Sequence, residues 1–323
     1  MQILFSGAVP GPGEKFRGVA ATLGILDAES GEILHQCEYQ TPSELRAPGQ
    51  KMQFTGYSFA DDRLYVCSHS EIVWFDEWPP NEPAGRVSIP AFNDLHHCIP
   101  WKGGLAVANT GLETVDLVSV EGALLGRWDL IEGMPGAREI DPEADYRRIA
   151  DTKPHLVHGN HLFVREGELW VTQLKKPGAV CLTHEAAELT FEAGMPHDGR
   201  PIDGRLAFTT TNGHLVLVDP STLDVVSHDL VAMTPGAQVL GWCRGLCADW
   251  RDPDRYFVGF SFLRKSGWHR EYAFWLAYRQ KVLPSRIDLY DVSRGERVRS
   301  FPVTSERSLV LFQLELLPEH RWI

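Results

Sequence analysis

Hydrophobic and polar residues alternate along most of the chain in short runs, and turn residues rich in Gly, Asn and Asp separate the runs. Between residues 92 and 130, for example, the apolar runs GLAVAN and TVDLVSV lie on either side of the turn TGLE. An alternation with a period of two residues is typical of β-strands, and a short turn between two such strands indicates an antiparallel hairpin. The pattern therefore predicts an all-β chain.

One hairpin recurs at a fixed spacing. In four places the start of an inner strand precedes a run of the type GLAV, ELWV or RLAF by eight residues, and another alternating run follows. The four pairs are Gly56 and Leu64, His97 and Leu105, His161 and Leu169, and Asp198 and Leu206. Repeated units of about 40 residues with four strands each are the signature of a β-propeller.

We predict a single β-propeller domain over residues 1–323, with six four-stranded blades; five and seven blades are the alternatives. Five blades are complete in the sequence, at about 53–90, 92–130, 155–192, 196–231 and 241–303. The sixth combines the C-terminal run 308–317 with strands in 2–40. Pairing the N- and C-terminal strands in one blade would close the ring and remove the sheet edges.

Two insertions interrupt the repeat, and we expect both on the face where the central channel opens. Residues 131–154 contain IDPEADYRRIAD, in which Asp141 as a cap and Pro142 at the first helical position predict a short helix. Residues 264–284 carry aromatic residues at helical spacing and form either a lid over the channel or a packing surface.

Composition limits the classes of function. The net charge of -12 disfavours nucleic acid and anionic membranes as partners, since both attract clustered Lys and Arg. The sequence contains no stretch typical of a transmembrane helix or a signal peptide, and its six cysteines show no CxxC spacing. We therefore expect a cytoplasmic protein with reduced thiols that acts on a small molecule, with homo-oligomerisation left open.

Histidines gather where the inner strands of the blades begin. Because inner strands line the channel of a propeller, their starting residues should meet at one channel mouth. Five of the 13 histidines occupy such positions: His96, His97, His158, His161 and His197.

The first functional interpretation is a metal site. Neutral imidazoles bind Zn, Fe, Mn or Cu, and an open coordination position would provide Lewis-acid chemistry. We predict His97, His161 and His197 as the ligands. His96 or Asp198 would be a fourth ligand or would support one of these rings.

The second interpretation needs no metal. His197 with Asp198 or Asp94 could act as a general base, and Arg244 could hold an anionic substrate. The catalytic candidates of the two interpretations are His96, His197, Asp198 and Arg244. The predicted substrate-binding residues at the same mouth are Asn109, Asn160, Gln173, Trp242 and Arg264. A third interpretation is that these groups only hydrogen-bond across the channel.

The segments FNDLHH, VANTGLETV, HGNHLFV, PHDG and GWCRG resemble those of six-bladed propellers. The group includes SMP-30/gluconolactonase-like, strictosidine-synthase-like and NHL-type proteins, and the pattern looks most like uncharacterised bacterial propellers. Gluconolactonase-like members bind a divalent metal through a Glu, Asn and Asp set, which these segments do not match. Carotenoid oxygenases, which hold iron with four His on a propeller, are similar only in kind.

These observations favour a metal-dependent small-molecule enzyme with hydrolase, lyase or oxygenase chemistry on a polar or anionic substrate. The alternative is a non-catalytic propeller that binds a ligand or a protein.

Overall fold

The computed structural model describes residues 1–11, 18–184, 187–263, 276–278, 283–304 and 308–317. These residues form 24 strands and two short 3₁₀ turns, Ser43–Leu45 and Tyr146–Arg148. The first twelve strands are β1 (Gln2–Pro10), β2 (Gly18–Asp27), β3 (Ile33–Tyr39), β4 (Tyr57–Ala60), β5 (Arg63–Cys67), β6 (Ile72–Phe75), β7 (Gly85–Val87), β8 (Leu95–Trp101), β9 (Gly104–Asn109), β10 (Thr114–Val118), β11 (Leu124–Asp129) and β12 (Gly159–Arg165). The other twelve are β13 (Glu168–Gln173), β14 (Gly178–Cys181), β15 (Glu188–Thr190), β16 (Arg200–Ile202), β17 (Arg205–Thr210), β18 (His214–Val218), β19 (Val225–Asp229), β20 (Trp242–Ala248), β21 (Arg255–Ser261), β22 (Arg286–Asp291), β23 (Glu296–Pro302) and β24 (Val310–Leu317).

The described strands form six antiparallel sheets of four strands. Blades 1 to 5 follow chain order, as β4–β7, β8–β11, β12–β15, β16–β19 and β20–β23. The closing blade has the order β24-β1-β2-β3, with Gln2 paired to Leu317 and Ala8 to Val310. The prediction of a six-bladed propeller closed by its two chain ends is confirmed.

The hydrophobic core lies between neighbouring blades. Each of the six interfaces between blades contains an apolar cluster of buried residues. On β5, Leu64 and Val66 pack toward the closing blade, whereas Tyr65 and Cys67 pack toward blade 2. Alternate residues of such a strand therefore enter two different interfaces, which explains why these strands are apolar on both faces.

Several inner strands carry a β-bulge close to the channel mouth. In β8, for example, Leu95 pairs with Asn109 but Cys98 pairs with Val107, so that β8 has one residue more than its partner between these pairs. A bulge changes the direction in which the following side chains point, and bulges are frequent beside functional sites. The bulged segments of blades 2 to 5 lie between residues 95 and 98, 159 and 161, 196 and 200, and 243 and 246.

The first insertion folds against the mouth without the predicted helix. It forms only the 3₁₀ turn Tyr146–Arg148, in which Asp145 accepts hydrogen bonds from Arg147. The carbonyls of Tyr146 and Ile149 accept from the side chain of Asn93, so tertiary contacts use groups that a helix would need. Of the second insertion, only residues 276–278, which are helical, and 283–284 are among those described.

All six cysteines are buried and unpaired, in agreement with the expected free thiols. In the part of the chain that the structure describes, no helix has the length and apolar character needed to cross a membrane.

Candidate functional site

Three histidines from adjacent blades meet at the channel mouth. His96 lies in the bulge of β8, His158 directly precedes β12, and His197 lies in the bulged approach to β16. One ring nitrogen from each lies within 4.8 Å of the other two. We call these three residues the mouth triad.

The spacing of the mouth triad fits a single metal ion. An ion equidistant from three nitrogens 4.8 Å apart would lie about 2.8 Å from each, so shifts of less than about 1 Å give the usual metal–nitrogen distance of about 2.0–2.1 Å. The ring of His96 lies 4.9 Å from that of His158 and 5.7 Å from that of His197, between centroids. The first contact is T-shaped and the second is tilted, so neither pair of rings is stacked.

Two rings of the mouth triad keep a nitrogen without a hydrogen-bond partner among the described residues. Nδ1 of His96 donates to the backbone carbonyl of Asp94 at 2.8 Å, so its Nε2 carries the lone pair. Nδ1 of His158 lies 2.8 Å from Nδ1 of His155. Nε2 of His197 is buried and has no hydrogen-bond partner among the described residues. A metal ligand commonly donates its second N–H to a carbonyl in this way.

The backbone holds two site residues in a conformation that L-residues rarely adopt. Asp94 has φ of 49° and His158 has φ of 57°, both in the left-handed region. Glu113, with φ of 59°, fixes the second of these: its carboxylate accepts from the backbone N–H groups of Leu156, Val157 and His158. Strained residues cluster at functional sites, where the surroundings must maintain them.

All three rings of the mouth triad favour the neutral form. Burial lowers the pKa of His96, against the opposing effect of Asp94. Burial, together with neighbouring rings and the charge of Arg244, holds the pKa values of His158 and His197 well below the usual value. Since only a neutral imidazole has a lone pair for a metal, the site favours the ligating form.

Asp94 is the carboxylate beside the mouth triad. Burial would raise its pKa, but the rings of His96 and His69 and the charge of Lys51 hold that pKa well below its usual value. Its Oδ1 lies 3.6 Å from Nδ1 of His69. The His–Asp contact that the structure forms here is therefore with His69, and Asp94 orients His96 through its backbone carbonyl.

Two of the three predicted metal ligands belong to a different group. The rings of His97 and His161 stack on each other, with centroids 3.8 Å apart and planes 19° apart. Nε2 of His97 lies 3.1 Å from the carbonyl of Tyr57, and Nδ1 of His97 accepts from the N–H of Leu162 at 3.2 Å. Both nitrogens of His97 are thus engaged in the protein. We call His97 and His161 the stacked pair; the structure groups His197 with His96 and His158 instead.

Asp198, predicted beside His197, has a structural partner. Its Oδ1 accepts from the backbone N–H of Thr209 at 2.9 Å and from the hydroxyl of the same residue. Burial raises the pKa of Asp198, against the effect of these hydrogen bonds. The structure shows no hydrogen bond between Asp198 and His197 among the described residues.

Two of the predicted substrate-binding residues, Asn109 and Asn160, form hydrogen bonds within the protein. Asn109 bonds the N–H of Asn93, the carbonyl of Ala91 and a carboxylate oxygen of Asp116. Asn160 donates to the carbonyl of Pro196 at 3.1 Å and crosses from blade 3 to blade 4.

Gln173 is buried at the end of β13, opposite Gly159. The guanidinium of Arg244 lies over the rings of Phe312 and Trp242, at 4.9 and 5.8 Å from their centroids. Arg264 lies outside the described residues. Of these residues, Arg244 is the one whose charge acts on all three histidines of the mouth triad, where it lowers their pKa values.

Sequence reasoning did not select His158 as a ligand, nor did it find the residues that support it. The strand period indicated His161, because the offset to the next strand matched that of His97. His158 precedes β12 in a left-handed conformation that the pattern does not reveal. The thiol of Cys243, next to Arg244 in the sequence, is buried, and this burial raises its pKa well above the usual value.

The fold and the site together define a six-bladed β-propeller with three histidines at its mouth that could hold a metal ion. No family model and no curated protein matches the sequence. The solved structure of a protein of unknown function from Bacteroides caccae is similar at a TM-score of 0.59, with 12% identity and coverage of 97% of both chains. A chain of a nidogen/laminin complex is similar at a TM-score of 0.59, with 10% identity and coverage of 97% of both chains. At these identities the likeness shows the fold alone.

Proposed function

We propose that the protein is a metal-dependent enzyme that acts on a small anionic or polar substrate at the channel mouth. The observation that carries this proposal is the mouth triad, whose three ring nitrogens lie within 4.8 Å of one another. The predicted ligand set is revised accordingly to His96, His158 and His197.

Three neutral ligands determine the chemistry that a metal would supply. A divalent ion bound only by imidazoles keeps its full charge, so it polarises a substrate oxygen or lowers the pKa of a coordinated water to about 7. The grouped ligands here are imidazoles alone, a set that suits a Lewis-acid metal and that iron oxygenases on propellers also use. We favour hydrolase or lyase chemistry because it needs only the Lewis acid and its coordinated water, and oxygenase chemistry is the alternative.

Arg244 provides a second contact for the substrate. Its guanidinium packs over the ring of Trp242 at the start of β20, and its charge is one of the causes that lower the pKa of His197. An anionic group held between the guanidinium and the metal would be bound by two positive charges. The net charge of -12 agrees with a small-molecule substrate rather than nucleic acid.

The proposed metal ligands also differ from those of the gluconolactonase-like propellers. Gluconolactonase-like propellers use a Glu, Asn and Asp set, whereas the grouped residues here are three imidazoles. We therefore propose a likeness to uncharacterised bacterial propellers and transfer no lactonase activity to the chain.

Elemental analysis of the purified, untagged protein tests the metal site. We expect near-stoichiometric transition metal in the wild type, or after addition of Zn, Fe, Mn or Cu, and its loss in His197→Ala. The absence of metal from the wild type under all these conditions would remove the enzyme proposal and leave the propeller as a ligand-binding module.

A Co²⁺-substituted sample tests the role of Arg244. Addition of phosphate or acetate should change the visible spectrum of the bound Co²⁺, and Arg244→Gln should require about tenfold more anion for the same change. Equal anion affinity in both proteins would exclude Arg244 from the binding site.

A further inference from the structure

A chain of hydrogen bonds connects the first insertion to the mouth triad. The hydroxyl of Thr152 lies 3.2 Å from Oδ1 of Asn93 and 3.4 Å from Nε2 of His155. Nδ1 of His155 lies 2.8 Å from Nδ1 of His158. Thr152 and His155 are 6% and 3% exposed, so water competes little for these bonds.

Asn93 determines which group donates and which accepts in this series of hydrogen bonds. Its Nδ2 lies 2.7 Å from the carbonyl oxygen of Tyr146 and 2.8 Å from that of Ile149. A carbonyl can only accept, so the NH₂ group of Asn93 faces both carbonyls and its Oδ1 must accept a hydrogen bond. The Thr152 hydroxyl therefore donates a hydrogen bond to Oδ1 of Asn93.

Each following step has only one arrangement in the neutral state. Because the single O–H of Thr152 is used on Asn93, the Thr152 oxygen can only accept a hydrogen bond from Nε2–H of His155. A neutral imidazole has one N–H, so Nδ1 of His155 carries a lone pair and accepts from Nδ1–H of His158. The remaining nitrogen of His158, Nε2, then carries the lone pair.

We propose that Thr152 is a positioning residue of the metal site: acting through His155, it fixes the Nδ1–H tautomer of His158 and so presents the Nε2 lone pair to the ion. This inference rests on the proposed metal site. If the His155–His158 bond were reversed, the proton of His158 would lie on Nε2, where it would block coordination. The first insertion thus serves the site as the anchor of this tautomer, and not only as a cover over the mouth.

The test compares Thr152→Val, which removes the hydroxyl at nearly constant shape, with Thr152→Ser, which keeps it. In the metal-free protein, ¹⁵N NMR of the histidine rings distinguishes Nδ1–H from Nε2–H. We expect His158 to be the Nδ1–H tautomer in the wild type and in Thr152→Ser, and a mixture of both tautomers in Thr152→Val. Chelator competition with Zn²⁺ should give a Kd about tenfold higher for Thr152→Val and nearly unchanged for Thr152→Ser.

Thr234→Val is the matched control, because Thr234 is also buried and bonds the carbonyl of Leu230 and the hydroxyl of Tyr290, in another part of the fold. It should alter stability without altering the His158 tautomer or the Kd. If Thr152→Val does not fold, Thr152→Ala provides the same comparison.

The outcomes separate the two proposals. A wild type that binds no metal removes the proposed function, while its ring ¹⁵N spectrum still reports the tautomer. A wild type that binds metal, with Thr152→Val showing the same tautomer and the same Kd, removes the role of Thr152 alone.

Discussion

Two groups of histidines lie at the inner strands of neighbouring blades, and their surroundings give them different capabilities. In the stacked pair, both nitrogens of His97 are engaged, one by the carbonyl of Tyr57 and one by the N–H of Leu162. In the mouth triad, His96 uses one nitrogen on the carbonyl of Asp94 and keeps the other. His96 and His97 are neighbours in the sequence, yet only one keeps a lone pair for a ligand. The partner of the second nitrogen, rather than the presence of an imidazole, decides whether a buried histidine is able to bind a metal.

The largest expected effect compares these two neighbours directly. His96→Ala should weaken Zn²⁺ binding by at least about 1000-fold, because it removes one of three ligands. His97→Ala should change the metal Kd by less than about threefold while lowering the free energy of unfolding by about 3 kcal/mol, through the loss of two buried hydrogen bonds. Chelator competition and denaturant unfolding measure the two quantities. Loss of metal in His97→Ala with full retention in His96→Ala would reverse our assignment.

Glu113 offers a second way to separate site geometry from general stability. Glu113→Gln should lower the free energy of unfolding by about 3 kcal/mol. The carboxylate accepts from the N–H groups of Leu156, Val157 and His158, whereas the NH₂ group of the glutamine amide would place donors against donors. Since His158 is one of these residues, the metal Kd should rise as well. Glu121→Gln, on an exposed residue of the same blade, is the control and should change neither quantity. An unchanged denaturation midpoint in Glu113→Gln would contradict the role of this carboxylate.

The stacked pair should make the metal-free protein sensitive to acid. Burial lowers the pKa of His97 from about 6.5 to about 3. Between these two pH values the ring is therefore protonated in the unfolded chain and neutral in the folded protein. Its contribution to stability is fully present above pH 6.5 and is lost as the pH falls toward about 3. Between pH 6.5 and 4.5 the loss from this one residue should be about 2 kcal/mol.

His97→Gln removes this titrating group, so its free energy of unfolding should fall less steeply than that of the wild type over the same interval. Denaturant unfolding at several pH values gives both curves. Parallel curves for the two proteins would show that His97 does not titrate in this way.

The smallest expected effect concerns Asn160, which lies at the mouth but bonds within the protein. Asn160→Ala should cost about 1 kcal/mol, since it leaves the buried carbonyl of Pro196 without its donor. The metal content should stay at the wild-type level, as measured by elemental analysis. A loss of metal here would extend the site beyond the three histidines.

Much of the fold could be predicted because its causes are local. Alternation of apolar and polar residues determines the strands, and the recurring turn residues determine the hairpins and their spacing. The pairing of β24 with β1 also followed, because a propeller without it would expose two sheet edges. The prediction of a short helix near Asp141 was wrong because it used only local capping, whereas Asn93, more than 50 residues earlier in the chain, binds the carbonyls of this segment.

The sequence by itself determined the six blades, the closed ring and the gathering of histidines at one mouth, since these follow from the order and period of its strands. Only the tertiary structure decided which histidines face one another. One-residue bulges near the starts of β8 and β12 shift the side chains of His96 and His161, and a left-handed residue precedes β12 at His158. The period-two pattern of the sequence does not reveal such irregularities. They are stabilised by contacts from neighbouring blades, such as the hydrogen bond of Glu113 to the N–H of His158, and not by the residues next to them in the sequence.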